Sequence, residues 1–221
     1  MNINNKAKNI ISVEGNIGVG KSTFTKLLLD NIPSTEIVSE PVDMWFEVKN
    51  ANGKNILQTF YDDIPRWAYT FQNIAYVTRM IKIERTIRNS TCENIFLDRS
   101  IDTDKHVFEK MLWEQKQLQQ IEHEAYNLWC EFYHEFVRSD MGKKIIYLRS
   151  TPIVCSERIK IRNREEEKNI TLQYLQELHS AHEDWLINKP NVLILDCNKD
   201  FEHDMNYKNE LIEKVKQFII S

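Results

Sequence analysis

Eight consecutive residues, Gly15-Asn16-Ile17-Gly18-Val19-Gly20-Lys21-Ser22, carry the sharpest chemical signal in the chain. They fit the pattern G-x-x-x-x-G-K-[ST]. Glycines at these places let the backbone wrap until its N–H groups point inward at phosphate oxygens. A helix starting near Lys21 adds the positive end of its dipole. Lys21 can then reach the β- and γ-phosphates, and Ser22 can ligate Mg²⁺. Three of the chain's five glycines lie in this stretch, so backbone freedom is concentrated at one place. A strand-to-helix turn that bound nothing would have no need of the Lys-Ser ending. The chemistry implied is the binding and cleavage of a nucleoside triphosphate, and the class is an ATP-using phosphotransferase.

Two further groups fall where apolar runs end. Glu40-Pro41 follows one run and Asp98-Arg99-Ser100 follows another. In open α/β sheets ligands collect at the carboxyl ends of strands. One carboxylate could accept a proton from an attacking hydroxyl, and the other could hold Mg²⁺ directly or through water. Arg99 could neutralise charge on the transferring phosphoryl group. Standing alone, these residues read as exposed strand ends or a helix cap; beside the phosphate loop they read as a site. The block Arg158-Ile159-Lys160-Ile161-Arg162-Asn163-Arg164-Glu165-Glu166-Glu167 is either a solvated helix face or an Arg-rich lid over the phosphates. Gln72 and Arg79 are seven apart on a helical pattern, flanked by Phe71, Ala75 and Tyr76. A primary amide can pair bidentately with a base edge while an aromatic ring stacks on it. A half-exposed helix with core aromatics fits the same spacing.

The elements that must position these residues are legible as alternation. Short apolar runs, Ile10 to Val13, Glu36 to Val38, Ile95 to Leu97, Ile145 to Leu148 and Val192 to Leu195, read as five buried strands. Helical segments separate them: Thr23 to Leu29, Arg66 to Arg88, Gln117 to Arg138, Thr171 to Ile187 and Asp204 to Ile219. In the second, Trp67, Phe71, Ile74, Val77 and Ile81 recur at helical spacing. The fold class expected is α/β, a five-stranded parallel sheet flanked by helices. The 221 residues suit a single domain, 1–221, and 42% hydrophobic residues can fill its core. With 29 basic and 33 acidic side chains the net charge is -4, which gives no global pull toward nucleic acid or an anionic membrane. No apolar run reaches the ~18 residues of a membrane span. Met1 to Asn9 lacks the apolar core of a secretory signal, and four scattered cysteines suit a reducing compartment. A cytoplasmic location is the expectation.

The residues together resemble the deoxyribonucleoside kinases, in particular the deoxycytidine, deoxyguanosine and deoxyadenosine kinase-like branch. The resemblance runs from about Asn9 to Pro190. It rests on Gly15 to Thr23, Ser39-Glu40-Pro41-Val42 with Trp45, Pro65-Arg66-Trp67 through Phe71-Gln72, Asp98-Arg99-Ser100, and Arg158 to Glu167. It implies a P-loop kinase fold with a short lid at about 158–168, usually a homodimer built through long helices. The implied reaction moves the γ-phosphoryl group of ATP, or another nucleoside triphosphate, to the 5′-hydroxyl of a deoxynucleoside in nucleotide salvage. Carried over, Glu40 is the base on that hydroxyl with Arg99 as its partner. Ser22 and Asp98 serve Mg²⁺. Gln72 reads the base among Phe71, Phe108 and Trp45, and Tyr61 with Glu167 holds the 3′-hydroxyl. Gly15 to Thr23 with Arg158, Arg162 and Arg164 bind ATP, and Tyr174 flanks the lid. Arg79 and Asp104 match an Arg-Asp pair of the branch that takes deoxycytidine and purine deoxynucleosides, which implies a preference for these over thymidine. Two departures stand out: many relatives have Glu at Asp98, and the segment from Trp45 to Tyr61 is shorter than in deoxycytidine kinases.

Two rivals share the phosphate loop. A nucleoside monophosphate kinase such as thymidylate kinase tends to carry a Gly-containing acidic-Pro motif after the second strand, whereas here Val42-Asp43-Met44-Trp45 follows Glu40-Pro41. A catalytically silent nucleotide-binding module would need the loop but not Glu40, Arg99 and Gln72 together.

Overall fold

A computed structural model describes residues 9–137, 143–164, 167 and 170–221. All five apolar runs form strands: β1 (Asn9–Glu14), β2 (Thr35–Val38), β3 (Asn94–Asp98), β4 (Lys144–Arg149) and β5 (Val192–Asp196). They pair in parallel in the order β2-β3-β1-β4-β5. The expected α/β class and five-stranded parallel sheet are therefore present. The middle strands have both faces covered by helices, which is why they read as unbroken apolar runs. Ile11, Val13, Ile95, Phe96, Ile145, Ile146 and Leu148 are fully buried. The edge strands are less apolar and less covered; only Val38 of β2 is buried.

The register fixes where the site must lie. Val13 stands beside Asp98, and Val38 beside Leu97. The ends of β1, β2 and β3 therefore deliver Gly15, Glu40 and Arg99 to one edge of the sheet. α1 (Lys21–Asn31) follows β1, with Gly20 at its cap in a left-handed conformation and no side-chain cap. The helix N-terminus thus keeps its N–H groups free of side-chain partners, the arrangement that binds anions.

The long helix α4 (Ile64–Asn89) matches the sequence reading within two residues, with Asp63 capping its start ahead of Pro65. Its buried face does not follow the predicted stripe. Ala68, Phe71, Gln72, Ala75, Tyr76, Arg79, Ile83 and Ile87 are buried, while Val77 is exposed and Trp67, Ile74 and Ile81 are only half-buried. The helix turns polar Gln72 and Arg79 inward because they line a cavity, a demand that apolar periodicity does not record.

Two short helices, α2 (Val42–Glu47) and α3 (Ile56–Asp62), were not foreseen. Each is too short for a periodic signal, although Asn55 and Gln58 form a capping box at α3. After β3, α5 (Ile101–Thr103) runs into a π-helical stretch, Asp104–Glu109, and on into α6 (Lys110–Glu114). The wide turn belongs to the class that recurs at functional sites. α7 (Gln120–Phe132) passes into a second π-helical stretch, Tyr133–Val137. The predicted end of that segment at Arg138 lies outside the described residues. α8 (Pro152–Arg162), α9 (Leu172–Leu186) and α10 (Met205–Ile220) complete the chain. Among the described residues, no helix is long and apolar enough to cross a membrane.

Candidate active site

A cavity of about 650 Å³ opens at the carboxyl edge of the sheet. That volume suits a small-molecule ligand. Its walls bring together residues from eight separate segments between Ile17 and Tyr174. Of the expected site residues, Ile17, Gly18, Gly20, Lys21, Ser22, Thr23, Glu40, Trp45, Tyr61, Phe71, Gln72, Arg79, Asp98, Arg99, Asp104, Phe108, Arg162, Arg164, Glu167 and Tyr174 line it. Gly15, Asn16, Val19 and Arg158 do not, and each has a structural occupation. Asn16 donates from Nδ2 to the Leu175 carbonyl at 2.8 Å, tying the loop to α9. Val19 is fully buried in the core. Gly15 lies where a Cβ would come within 2.6 Å of the Leu148 carbonyl oxygen.

Arg158 donates to the Val19 carbonyl at 2.9 Å and to the Lys199 carbonyl at 3.3 Å, on the outer side of the loop. Gly18 has φ +80°, and a Cβ there would meet the Cys155 carbonyl oxygen at 2.5 Å. α8 is therefore packed directly on the loop. Residues 165, 166 and 168 of the expected lid lie outside the described residues. Of the rest, Arg162 donates to Glu167 at 2.5 and 3.0 Å, and Arg164 lies 3.9 Å from the same carboxylate.

At the loop, Lys21 Nζ donates to the carbonyls of Gly15 at 3.3 Å and Asn16 at 3.1 Å. Burial, reinforced by Arg99, lowers its pKa to about 8. Ser22 Oγ donates to Asp98 Oδ2 at 3.4 Å. The other oxygen, Asp98 Oδ1, is buried with no hydrogen-bond partner among the described residues. A hydroxyl and a half-satisfied carboxylate side by side are oxygen donors fit for Mg²⁺. Among the described residues no group of three or more His, Cys, Asp or Glu could hold a metal. A cation held here would be shared with phosphate oxygens, as Mg²⁺ usually is.

The hydroxyl end is dominated by cations. Arg79 Nη2 lies 3.0 Å from Glu40 Oε1, and Arg99 Nε lies 3.9 Å from it. Burial would raise the Glu40 carboxyl, but Arg99, Arg79 and Lys21 outweigh it and lower its pKa to about 2. The sequence paired Glu40 with Arg99; the nearer guanidinium is that of Arg79. Arg99 sits at φ +67°, unusual for a side-chain-bearing residue, and its Nη2 donates to the Gly15 carbonyl at 3.2 Å.

What holds that turn is Glu14, which the sequence reading passed over. It is fully buried, accepting from the Ser100 amide at 3.0 Å, from Ser100 Oγ at 2.7 Å and from Thr103 Oγ1. An acidic residue ending a buried strand directly before Gly15 was the available clue.

At the far end, Arg79 Nε donates to Asp104 Oδ2 at 2.8 Å and Nη2 to Oδ1 at 3.2 Å. Gln72 is buried, and its Oε1 has no partner among the described residues. A buried amide oxygen left unpaired costs stability unless a ligand completes it. Aromatic rings wall this end. Trp45 and Phe71 meet edge to face at 5.4 Å, and Phe60 stacks on Phe71 at 4.8 Å. Trp45 is locked by Nε1 donating to Thr78 Oγ1 at 2.9 Å. Phe46, Leu57, Phe60, Met111 and Leu112 add wall that the sequence reading did not name. Tyr61 stands between the ends; burial, with Glu167 and Glu40, pushes its phenol up to about 12.

Comparison with known proteins identifies the family of the chain. Residues 11–220 match the family described as deoxynucleoside kinase. The mitochondrial deoxyguanosine kinase of Xenopus laevis is 36% identical, covering 95% of this chain and 89% of that protein. The deoxycytidine kinase of Rattus norvegicus is 34% identical, covering 95% and 90% respectively. A probable deoxycytidine kinase of fowlpox virus is 35% identical, covering 95% and 87%. The chain belongs to the deoxynucleoside kinase family.

Proposed function

We propose that this protein phosphorylates the 5′-hydroxyl of deoxycytidine and purine deoxynucleosides in preference to thymidine, with ATP as donor, in nucleotide salvage. The observation that carries this is one cavity joining Lys21 and Ser22, Glu40, and Gln72 with the Arg79–Asp104 pair. Those are a donor site, a proton acceptor and a base reader. The attacking oxygen bonds to the γ-phosphorus as the bond to the departing ADP oxygen breaks. Glu40 takes the hydroxyl proton, and Arg99 offsets the charge that moves. Ser22 and Asp98 would hold Mg²⁺, which supplies charge neutralisation on the phosphates when bound. The loop amides with Lys21 bind the triphosphate, and Arg162 and Arg164 turn to it from the lid. Tyr61 and Glu167 take the 3′-hydroxyl. Gln72 pairs with the base inside the Trp45, Phe71 and Phe108 wall.

Asp104 is buried and accepts one bond from Arg79 on each oxygen, which leaves each oxygen a second lone pair for the base. An exocyclic amine can donate to it, and the buried ion pair crowds and polarises the space where a thymine methyl would sit. Kinetics with all four deoxynucleosides test this reading, and a kcat/KM highest for thymidine would sink it. Supplying deoxynucleoside monophosphates as acceptors in the same panel separates a nucleoside kinase from the monophosphate kinase alternative, which the family match does not favour.

The same reading makes the protein a homodimer of single-domain chains. α7 and the turn after it expose Ile121, Leu128, Trp129, Phe132 and Phe136. Apolar surface of that extent on one element suits burial against a second copy. Four unpaired cysteines fit a reducing compartment, and the cytosol is proposed on that ground.

A further inference from the structure

We propose that Arg79 ties the two ends of the acceptor site together, so that the residue clamped by the base-reading carboxylate also positions the residue that takes the hydroxyl proton. The inference rests on the reading of Glu40 as the base. Each nitrogen of the Arg79 guanidinium is committed. Nε donates to Asp104 at 2.8 Å, Nη1 to the Asp98 carbonyl at 3.3 Å, and Nη2 to both Asp104 at 3.2 Å and Glu40 at 3.0 Å. The side chain is 3% exposed and cannot swing away into solvent. Its planar fork fixes the angle between its partners. Asp104 therefore sets where Arg79 lies, and Arg79 sets where Glu40 lies.

Glu40 faces charge from several directions. Arg79 reaches it from α4, Arg99 from the turn after β3, and Lys21 from the phosphate loop. Glu40 in turn acts on Asp104 in the π-helical stretch and on Tyr61 of α3. Among the described residues, Arg79 alone touches Glu40 within hydrogen-bond distance. Without it, the carboxylate would keep Arg99 and Lys21 nearby but lose its nearest cation and the hydrogen bond that orients it.

A residue that merely reads the base would alter the choice among nucleosides and leave the proton acceptor as it was. A residue that also holds Glu40 moves the acid limb of the pH profile, and moves it by the same amount for every acceptor. The test compares kcat/KM against pH for the wild type, Asp104→Asn and the double variant Arg79→Met/Asp104→Asn, with deoxycytidine and thymidine as acceptors. The acid limb of kcat/KM reports the free enzyme. Pairing Arg79→Met with Asp104→Asn avoids leaving a buried carboxylate uncompensated.

In the double variant the acid limb is expected to rise by about one pH unit or more, equally for both acceptors. In Asp104→Asn, where Arg79 keeps its bonds to Glu40 and to the Asp98 carbonyl, the ratio between acceptors changes and the limb moves by less than in the double variant. Should the Met double variant not fold, Arg79→Gln/Asp104→Asn carries the same expectation. Coincident limbs in the single and double variants overturn the proposal. Glu40→Gln measured alongside keeps the two readings apart: near-normal turnover there removes the base assignment itself, whereas lost turnover with coincident limbs removes only the role of Arg79.

Discussion

The donor and acceptor halves of the cavity are built by opposite means. The donor half is one continuous stretch, Gly15 to Thr23, whose conformation comes from glycines and whose lysine is held by backbone carbonyls. The acceptor half is made of side chains from the turn after β2, from α2, α3 and α4, and from the segments after β3, and its charged groups Arg79, Arg99 and Asp104 are buried together. A backbone site resists most substitutions and fails through sterics. A side-chain site can be retuned one residue at a time and fails through charge. A phosphate group is the same for every nucleotide, so the first strategy suits it. Bases differ, so the second suits them.

Breaking the acceptor half at its base should give the largest effect. Glu40→Gln keeps the shape of the carboxylate and removes its ability to take a proton. Turnover is expected to fall by about two to four orders of magnitude, while ATP affinity measured by calorimetry stays near wild type. An equal loss of ATP affinity would mean that the two halves are not separable.

The converse break is Gly18→Ala. The position needs φ +80°, and the new Cβ would lie 2.5 Å from the Cys155 carbonyl oxygen, a backbone atom that cannot move alone. Strain of about 1–3 kcal/mol should weaken ATP binding by about tenfold to a hundredfold. Deoxynucleoside binding, followed by calorimetry, should change little. If acceptor binding falls as far as donor binding, the glycine supports the whole cavity and the contrast fails.

Gln72→Leu sharpens the contrast because function and stability should move in opposite directions. The wild-type amide oxygen is buried without a partner among the described residues. Replacing it with an apolar group should stabilise the empty enzyme by about 1 kcal/mol, read as a raised melting temperature. The KM for deoxynucleoside should rise by about fivefold to a hundredfold, with the KM for ATP unchanged. A lowered melting temperature would show that the amide is satisfied in the empty site.

The contrast also explains what could be read in the sequence. The donor half was legible because its residues are adjacent and their order is itself the mechanism. The five strands were legible for a similar reason, since burial on both faces leaves an unbroken apolar run. The acceptor half was legible as residue types but not as geometry. Nothing in the spacing of Glu40, Arg79 and Arg99 says which arginine lies nearer the carboxylate; that depends on how α4 rolls against the sheet. The roll defeated the apolar stripe as well, because Gln72 and Arg79 occupy the buried face and leave Val77 outside. Glu14 was missed because its partners, Ser100 and Thr103, are polar, neutral and more than eighty residues away.

The smallest expected effect is a pH dependence confined to the donor half. Burial and Arg99 lower the pKa of Lys21 in the empty site from 10.5 to about 8. A bound triphosphate brings negative charge and raises it again, so binding takes up a proton whenever Lys21 starts neutral. ATP affinity should therefore hold steady below pH 8 and fall above it, by up to tenfold per unit. The linked effect on the empty protein has the opposite sign. Between about pH 8 and 10.5 the unfolded chain binds more protons at this lysine than the folded one, so this group's contribution to stability rises with pH. Affinity for ATP at pH 7 and pH 9 should differ by about tenfold in the wild type. In Lys21→Arg, whose guanidinium stays charged, the two affinities should agree even though both are weaker. Deoxynucleoside affinity over the same range should be flat, because Glu40 and Arg79 keep their charges throughout it. A pH-dependent loss shared by both substrates would place the titrating group between the halves rather than in the loop.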